Sequence, residues 1–167
     1  TRFFKDVKMW TFEELIDEEK LTDIINMSHE NVKYLPGRAL PNNLIAVPDL
    51  EAVVADANLL VFVLPPQFLA RLLPTIKSKL MKGTRAISLI KGLSFDDKKG
   101  VVLISDILRN GLGKNVDVSV LQGANVANEV ADNHFCEATL GYTVRSNAES
   151  FFYAFNTPTF RVQLAND

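Results

Sequence analysis

The chain has 167 residues, 47% of them hydrophobic and 23% charged, and a formal net charge of −2. That length supports a domain with a real core, and the charge balance excludes the basic stripe a nucleic-acid binder needs. One cysteine, Cys136, excludes an internal disulfide and suits a reducing compartment; the longest wholly apolar run, residues 59–64, is too short to span a bilayer, and no signal peptide is visible.

Residues 7–12 alternate and are rich in β-formers, which predicts a strand. Glu13 and Glu14 follow, and then Leu15, Ile16, Leu21, Ile24 and Ile25 recur at helical spacing, predicting a helix of about 15 residues. The two acids admit two readings. An acid after the second strand of a dinucleotide-binding domain can hold ribose hydroxyls, and acids in a first helical turn also suit the helix dipole. Thr11 with Glu14 fits a capping box.

Residues 31–43 carry Pro36, Gly37 and Pro41 without any period and form a long loop, a common place for function. Residues 44–47 are a short strand and 48–57 a short helix. Residues 59–64 are apolar without alternation, the pattern of a strand covered on both faces and hence of a parallel sheet. Pro65 and Pro66 end it and open a helix running to about Met81, whose lysines at 77, 79 and 82 make a solvated face. Phe68 stands beside that strand's carboxyl end, as plain core or as one wall of a ring-binding slot.

Residues 85–92 read as a buried strand ending in Lys91 and Gly92. A lysine there either snorkels to water or meets an anionic group at the sheet edge, where open α/β sheets bind ligands. Residues 96–99 make a solvated turn, 101–112 a helix, and 116–121 a strand running into Gln122, Gly123, Ala124 and Asn125. The small Gly123 and Ala124 allow backbone to approach a ligand, and Asn125 is a good N-cap for a helix over 126–131. A strand at 135–141, a helix at 148–155 and a strand at 160–164 complete the chain.

Strands alternating with helices of crossover length give an α/β fold: a doubly wound, mostly parallel sheet with helices on both faces. Phe68, Lys91 and the Ala124–Asn125 turn then share one rim. No G-x-G-x-x-G occurs, so a dinucleotide domain would lack its first βα unit here, with that loop before Thr1. His29 and His134 lie far apart without spaced partners, so no metal site is expected. Glu129 and Asp132 share a helical face, better explained by solubility than by acid–base work.

Several stretches together resemble the eukaryotic cytosolic-type NAD-dependent glycerol-3-phosphate dehydrogenases. They are Met-Trp-Thr-Phe-Glu-Glu (9–14), Lys-Leu-Thr-Asp-Ile-Ile-Asn (20–26), His-Glu-Asn-Val-Lys-Tyr-Leu-Pro-Gly (29–37), Pro-Pro-Gln-Phe (65–68), Ile-Ser-Leu-Ile-Lys-Gly (87–92) and Gly-Ala-Asn-Val-Ala-Asn-Glu-Val-Ala (123–131). They come in that family's order and spacing, and the likeness is weakest from Asn147 onward. Pro66 departs from the family, which usually has histidine there.

The resemblance implies an incomplete NAD-binding, Rossmann-like domain over residues 1–167, with a C-terminal helical catalytic domain absent from this chain. It implies reversible hydride transfer between NAD(H) and dihydroxyacetone phosphate or sn-glycerol 3-phosphate, in the cytoplasm, by a protein that is a homodimer at full length. By position, Phe12, Phe68 and Ala124 look like cofactor contacts and Lys91 a substrate contact. No catalytic residue is expected within the chain: the lysine that moves the proton and the arginine that grips the phosphate should follow Asp167. The 167 residues alone are therefore expected to be inactive. Two other readings remain at this point: a related superfamily dehydrogenase with another substrate, and a truncated, non-catalytic dinucleotide-binding or regulatory module.

Overall fold

A computed structural model describes residues 3, 5–96 and 100–166. The chain divides into two compact units, Thr1–Val53 and Val54–Asp167.

In the first unit, β1 (Val7–Trp10) pairs in parallel with β4 (Leu44–Val47), from Val7 opposite Leu44 to Trp10 opposite Val47. Between them lie β2 (Leu15–Ile16), β3 (Glu19–Lys20) and α1 (Leu21–Ser28). The expected long helix from residue 15 is therefore corrected: its first turns are a hairpin. Asp17 and Glu18 both take positive φ, 48° and 72°, as a two-residue turn of mirror-image type requires. Apolar residues at 15 and 16 satisfy a helical period and a short strand equally well.

Leu21 and Ile25 of α1 pack with Ala46 of β4 as the buried core of this unit, with Met9, Ile16, Val32 and Leu40 around them. Asn26 fixes the two elements in register, its Nδ2 donating to the Ala46 carbonyl at 2.9 Å and its Oδ1 accepting from the Ala46 amide at 2.8 Å. Residues 31–43 form the expected long connection, pinned by an isolated bridge between Glu30 and Ala39. The short helix α2 (Leu50–Val54) closes the unit.

The second unit is built on a five-stranded sheet. Its members are β5 (Leu59–Phe62), β6 (Arg85–Ser88), β9 (Asp117–Ala124), β10 (Cys136–Tyr142) and β11 (Phe160–Asn166), in spatial order β11-β10-β9-β6-β5. β5, β6 and β9 are parallel, and β10 and β11 are parallel to each other. The sheet is mostly parallel as expected, with one reversal: β10 runs antiparallel to β9. A short turn-and-helix connection, with α5 (Ala127–Ala131), brings the chain straight back, which a parallel crossover would not allow.

A 3₁₀ turn (Pro66–Phe68) leads into α3 (Leu69–Lys79), which buries Leu69, Leu72, Leu73 and Ile76. The expected helix from residue 101 begins later. Leu93–Asp96 (β7) and Gly100–Leu103 (β8) make an antiparallel hairpin, and α4 (Ile104–Leu112) follows. Residues 97–99 of the expected solvated turn lie outside the described residues. Val101 and Val102 are β-branched and suit the strand over the helix. α6 (Arg145–Phe155) starts three residues earlier than its apolar period suggests. Its Ala148 and Phe151 cover Ile87, Leu121, Ala138, Leu140, Tyr142 and Val162 on one face of the sheet.

Candidate functional site

The carboxyl ends of β5 and β6 frame a concave site. The main-chain ladder continues one step past β6, with Leu89 N donating to the Phe62 carbonyl at 3.0 Å. Beyond it a groove of about 340 Å³ opens, walled by Val63, Pro65, Pro66, Leu89 and Ile90, with Lys91 at its margin. Apolar walls with one cation suit a ligand that has a flat apolar part and an anionic part. Lys91 is exposed, so its ammonium is hydrated and available. Gly92 follows at φ 100°, a left-handed conformation that lets the chain turn away immediately after the lysine.

Phe68 ends the 3₁₀ turn that leaves this groove and is 42% exposed, so it is not core. The Arg71 guanidinium lies 5.9 Å from its ring centroid, which holds the ring in one orientation by cation–π attraction.

Ala124 is the last residue of β9 and exposed, opposite Glu137 in the antiparallel ladder. The two small residues before Asn125 do not act alike, which corrects one expectation. A Cβ on Gly123 would sit 2.2 Å from the Glu137 carbonyl oxygen and 2.6 Å from Ala138 Cα. Its smallness therefore serves the close pairing of β9 with β10 and not a ligand.

The N-cap of α5 is Val126, without a side-chain cap, so Asn125 is not the expected cap. Its Oδ1 is instead buried with no hydrogen-bond partner. A buried, unpartnered acceptor carries a desolvation cost, and a polar ligand group at this rim would relieve it. That orphan acceptor, together with the groove, makes this face of the second unit fit a polar, partly aromatic cofactor and an anionic substrate. Gln122, which the sequence reading passed over, donates from Nε2 to the Ile90 carbonyl at 3.2 Å and so joins β9 to the Lys91 turn. Lys91, Phe68 and the end of β9 thus gather on one side of a single sheet.

Phe12 stands in the first unit, just past β1, and is 59% exposed. The acids beside it are engaged locally. Glu13 accepts from the Thr22 amide at 3.3 Å and from Thr22 Oγ1 at 2.7 Å. It therefore caps α1 from outside the helix, whose own N-cap Lys20 makes no side-chain cap bond. Glu14 accepts from Lys33 Nζ and, at 3.2 Å, from the Tyr34 hydroxyl. The hydrogen bond from Lys33 foremost, with its charge and the Tyr34 hydroxyl, holds the Glu14 carboxyl below the usual carboxylate range. The same bond to Glu14 raises the Lys33 ammonium above its usual value. These bonds tie the first unit together; because α1 begins at Leu21, the two acids do not lie in its first turn and the expected Thr11–Glu14 capping box does not form.

Among the described residues no group of three or more His, Cys, Asp or Glu is placed to hold a metal ion. No helix among them is long and apolar enough to cross a membrane.

A family model described as NAD-dependent glycerol-3-phosphate dehydrogenase N-terminus matches residues 1–148. The human glycerol-3-phosphate dehydrogenase 1-like protein is 49% identical over 166 residues, 99% of this chain and 46% of that protein. The cytoplasmic NAD(+) glycerol-3-phosphate dehydrogenase of Bos taurus is 46% identical over 161 residues, 96% of this chain and 45% of that protein. A solved structure of glycerol-3-phosphate dehydrogenase from Saccharomyces cerevisiae matches with a TM-score of 0.89 at 41% identity, over 97% of this chain and 48% of that one. The chain spans about half the length of the relatives it matches. It belongs to the NAD-dependent glycerol-3-phosphate dehydrogenase family, within the family's N-terminal part.

Proposed function

We propose that this chain is the cofactor-binding part of an enzyme that transfers a hydride reversibly between NAD(H) and dihydroxyacetone phosphate or sn-glycerol 3-phosphate. The observation that carries the reading is the family match across residues 1–148. The groove beside Lys91 supports it, because a single cation at an apolar rim suits a phosphorylated keto substrate lying against a flat ring.

In this reading Lys91 donates from its ammonium to a substrate oxygen and balances substrate charge. Phe12 and Phe68 wall the cofactor, and Ala124, lacking bulk, admits it close to the end of β9. The nicotinamide, when bound, supplies the hydride acceptor or donor; the chain supplies position and field. The glycine-rich phosphate loop belongs to a strand–helix unit before Thr1. The proton-transferring lysine and phosphate-gripping arginine belong to a helical domain beyond Asp167. The full-length protein is a cytoplasmic homodimer, the first of these terms being the one printed for the bovine relative.

The test is NADH oxidation, followed optically, by the full-length protein with dihydroxyacetone phosphate. Turnover is expected there and absent from residues 1–167 alone. Lys91→Ala is expected to raise the KM for dihydroxyacetone phosphate at least about tenfold, one lost charge-assisted bond, with the KM for NADH little changed. A full-length protein that binds NADH but leaves dihydroxyacetone phosphate unreduced refutes the assignment.

A further inference from the structure

We propose that Gln122 is a positioning residue for Lys91, fixing the main chain on which the lysine is mounted; this rests on the substrate role given to Lys91 above. The parallel ladder between β6 and β9 ends at Ser88 opposite Val120. Two residues further along each strand stand Ile90 and Gln122. There the Gln122 side chain takes over from the main chain, its Nε2 donating to the Ile90 carbonyl at 3.2 Å. Ile90 is held from its other end too, its amide donating to Ser88 Oγ at 3.2 Å. Its side chain is 6% exposed. The residue before Lys91 is thus fixed at its amide, its carbonyl and its side chain, and the residue after it turns away at φ 100°.

The carbonyl that Gln122 holds belongs to the peptide bond joining Ile90 to Lys91. Rotation of that peptide plane changes where the Lys91 side chain leaves the backbone. Four rotatable side-chain bonds then amplify any error at the ammonium. Ser88 is buried at 1% exposure and serves the core as well, whereas Gln122 is exposed and its side chain serves this bond. Losing it lets water satisfy the carbonyl without fixing the plane, so the change falls on aim and not on folding.

The experiment uses the full-length protein. Gln122→Leu removes the donor, and Gln122→Glu removes it while keeping the shape. Each is expected to raise the KM for dihydroxyacetone phosphate about fivefold, the worth of one ordinary hydrogen bond, with kcat and the KM for NADH within about twofold. In a Lys91→Ala background Gln122→Leu is expected to change that KM by less than about 1.5-fold, because there is no ammonium left to aim. Equal effects in the two backgrounds, or an equal rise in the KM for NADH, overturn the proposal.

A second readout needs no turnover. Lysines are labelled by reductive methylation with an NMR-active isotope, and the Lys91 signal is identified by its loss in Lys91→Arg. A single narrow Lys91 signal is expected in the parent protein, and a broadened or doubled one in Gln122→Leu. An unchanged signal overturns the positioning role. A parent protein that does not turn over, but whose Lys91 signal does respond to Gln122→Leu, overturns the enzymatic reading and leaves the positioning role standing.

Discussion

Gly123→Ala is the substitution whose cost the structure defines most sharply. The added Cβ would meet Glu137 O at 2.2 Å, Ala138 Cα at 2.6 Å and Ala138 Cβ at 2.9 Å. Two of these neighbours are backbone, so no rotamer change relieves the contact. Ordinary contact would need β9 and β10 to part by about 1 Å at the pair Gly123 and Ala138, where the ladder is complete on both sides. Ala138 is itself 4% exposed, so the movement would run into the α6 face of the core.

Overpacking of this kind costs about 1–3 kcal/mol, and stretched ladder bonds add to it, giving about 3 kcal/mol in all. For a unit of roughly a hundred residues that lowers Tm by about 12–24 °C. Gly83→Ala is the control. A Cβ at Gly83 meets nothing within 4 Å, and only its φ of 85° opposes alanine. Strain of that kind costs about 1–2 kcal/mol, hence about half the shift. Thermal unfolding followed by circular dichroism compares them. If Gly123→Ala loses no more Tm than Gly83→Ala, the argument from strand approach is wrong.

Three further outcomes follow from the packing and charge of the two units. Glu14→Gln is expected to flatten acid unfolding. A carboxyl lowered in the folded state gives stability that is full above its unfolded pKa and is lost as pH falls through the folded value, so parent and variant should converge toward low pH; diverging curves below pH about 4 would refute it. Glu13→Ala removes the outside cap of α1 and should cost about 1 kcal/mol in urea unfolding, an effect that should shrink in a Thr22→Val background. Phe151→Ala empties the centre of the second core, where Phe151 is 1% exposed, and should cost about 3–5 kcal/mol; a loss under 1 kcal/mol would mean that α6 is not seated as described.

The parallel strands of the second unit were legible from the unbroken apolar run at Leu59–Phe62, although the run overstated the cover: Leu60 and Phe62 are buried on one face, whereas Val61 on the other is 51% exposed. The rim was legible for the same reason: once the strands are parallel, Phe68, Lys91 and Ala124 must end on one side. Two hairpins were not. Leu15 and Ile16 fit a helix or a strand, and the turn between β2 and β3 uses Asp17 and Glu18, which carry no glycine to announce positive φ. Val101 to Leu103 continue the apolar period of α4 without a break in sequence, although the backbone changes state at Ile104. Within the site, Gln122 gave no signal, because its role depends on where a neighbouring strand stops pairing. Gly123 gave a misleading one, since closeness to a strand and closeness to a ligand call for the same small residue.

The packing of α6 also dictates an order of events during synthesis. Six of the eight residues in the second core, Ala138, Leu140, Tyr142, Ala148, Phe151 and Val162, come from one late stretch of chain, while Ile87 and Leu121 come earlier. A ribosome moving at roughly 5–20 residues per second needs on the order of 4–15 s to pass from Ile87 to Val162. Until β10, α6 and β11 emerge, Ile87 on the inner face of β6 has only early residues such as Leu59, Leu89 and Leu121 to pack against. A nascent chain stalled before residue 136 should therefore hold holdase chaperones, and release into solution should wait until β10, α6 and β11 have emerged as one self-contained strand–helix–strand clasp.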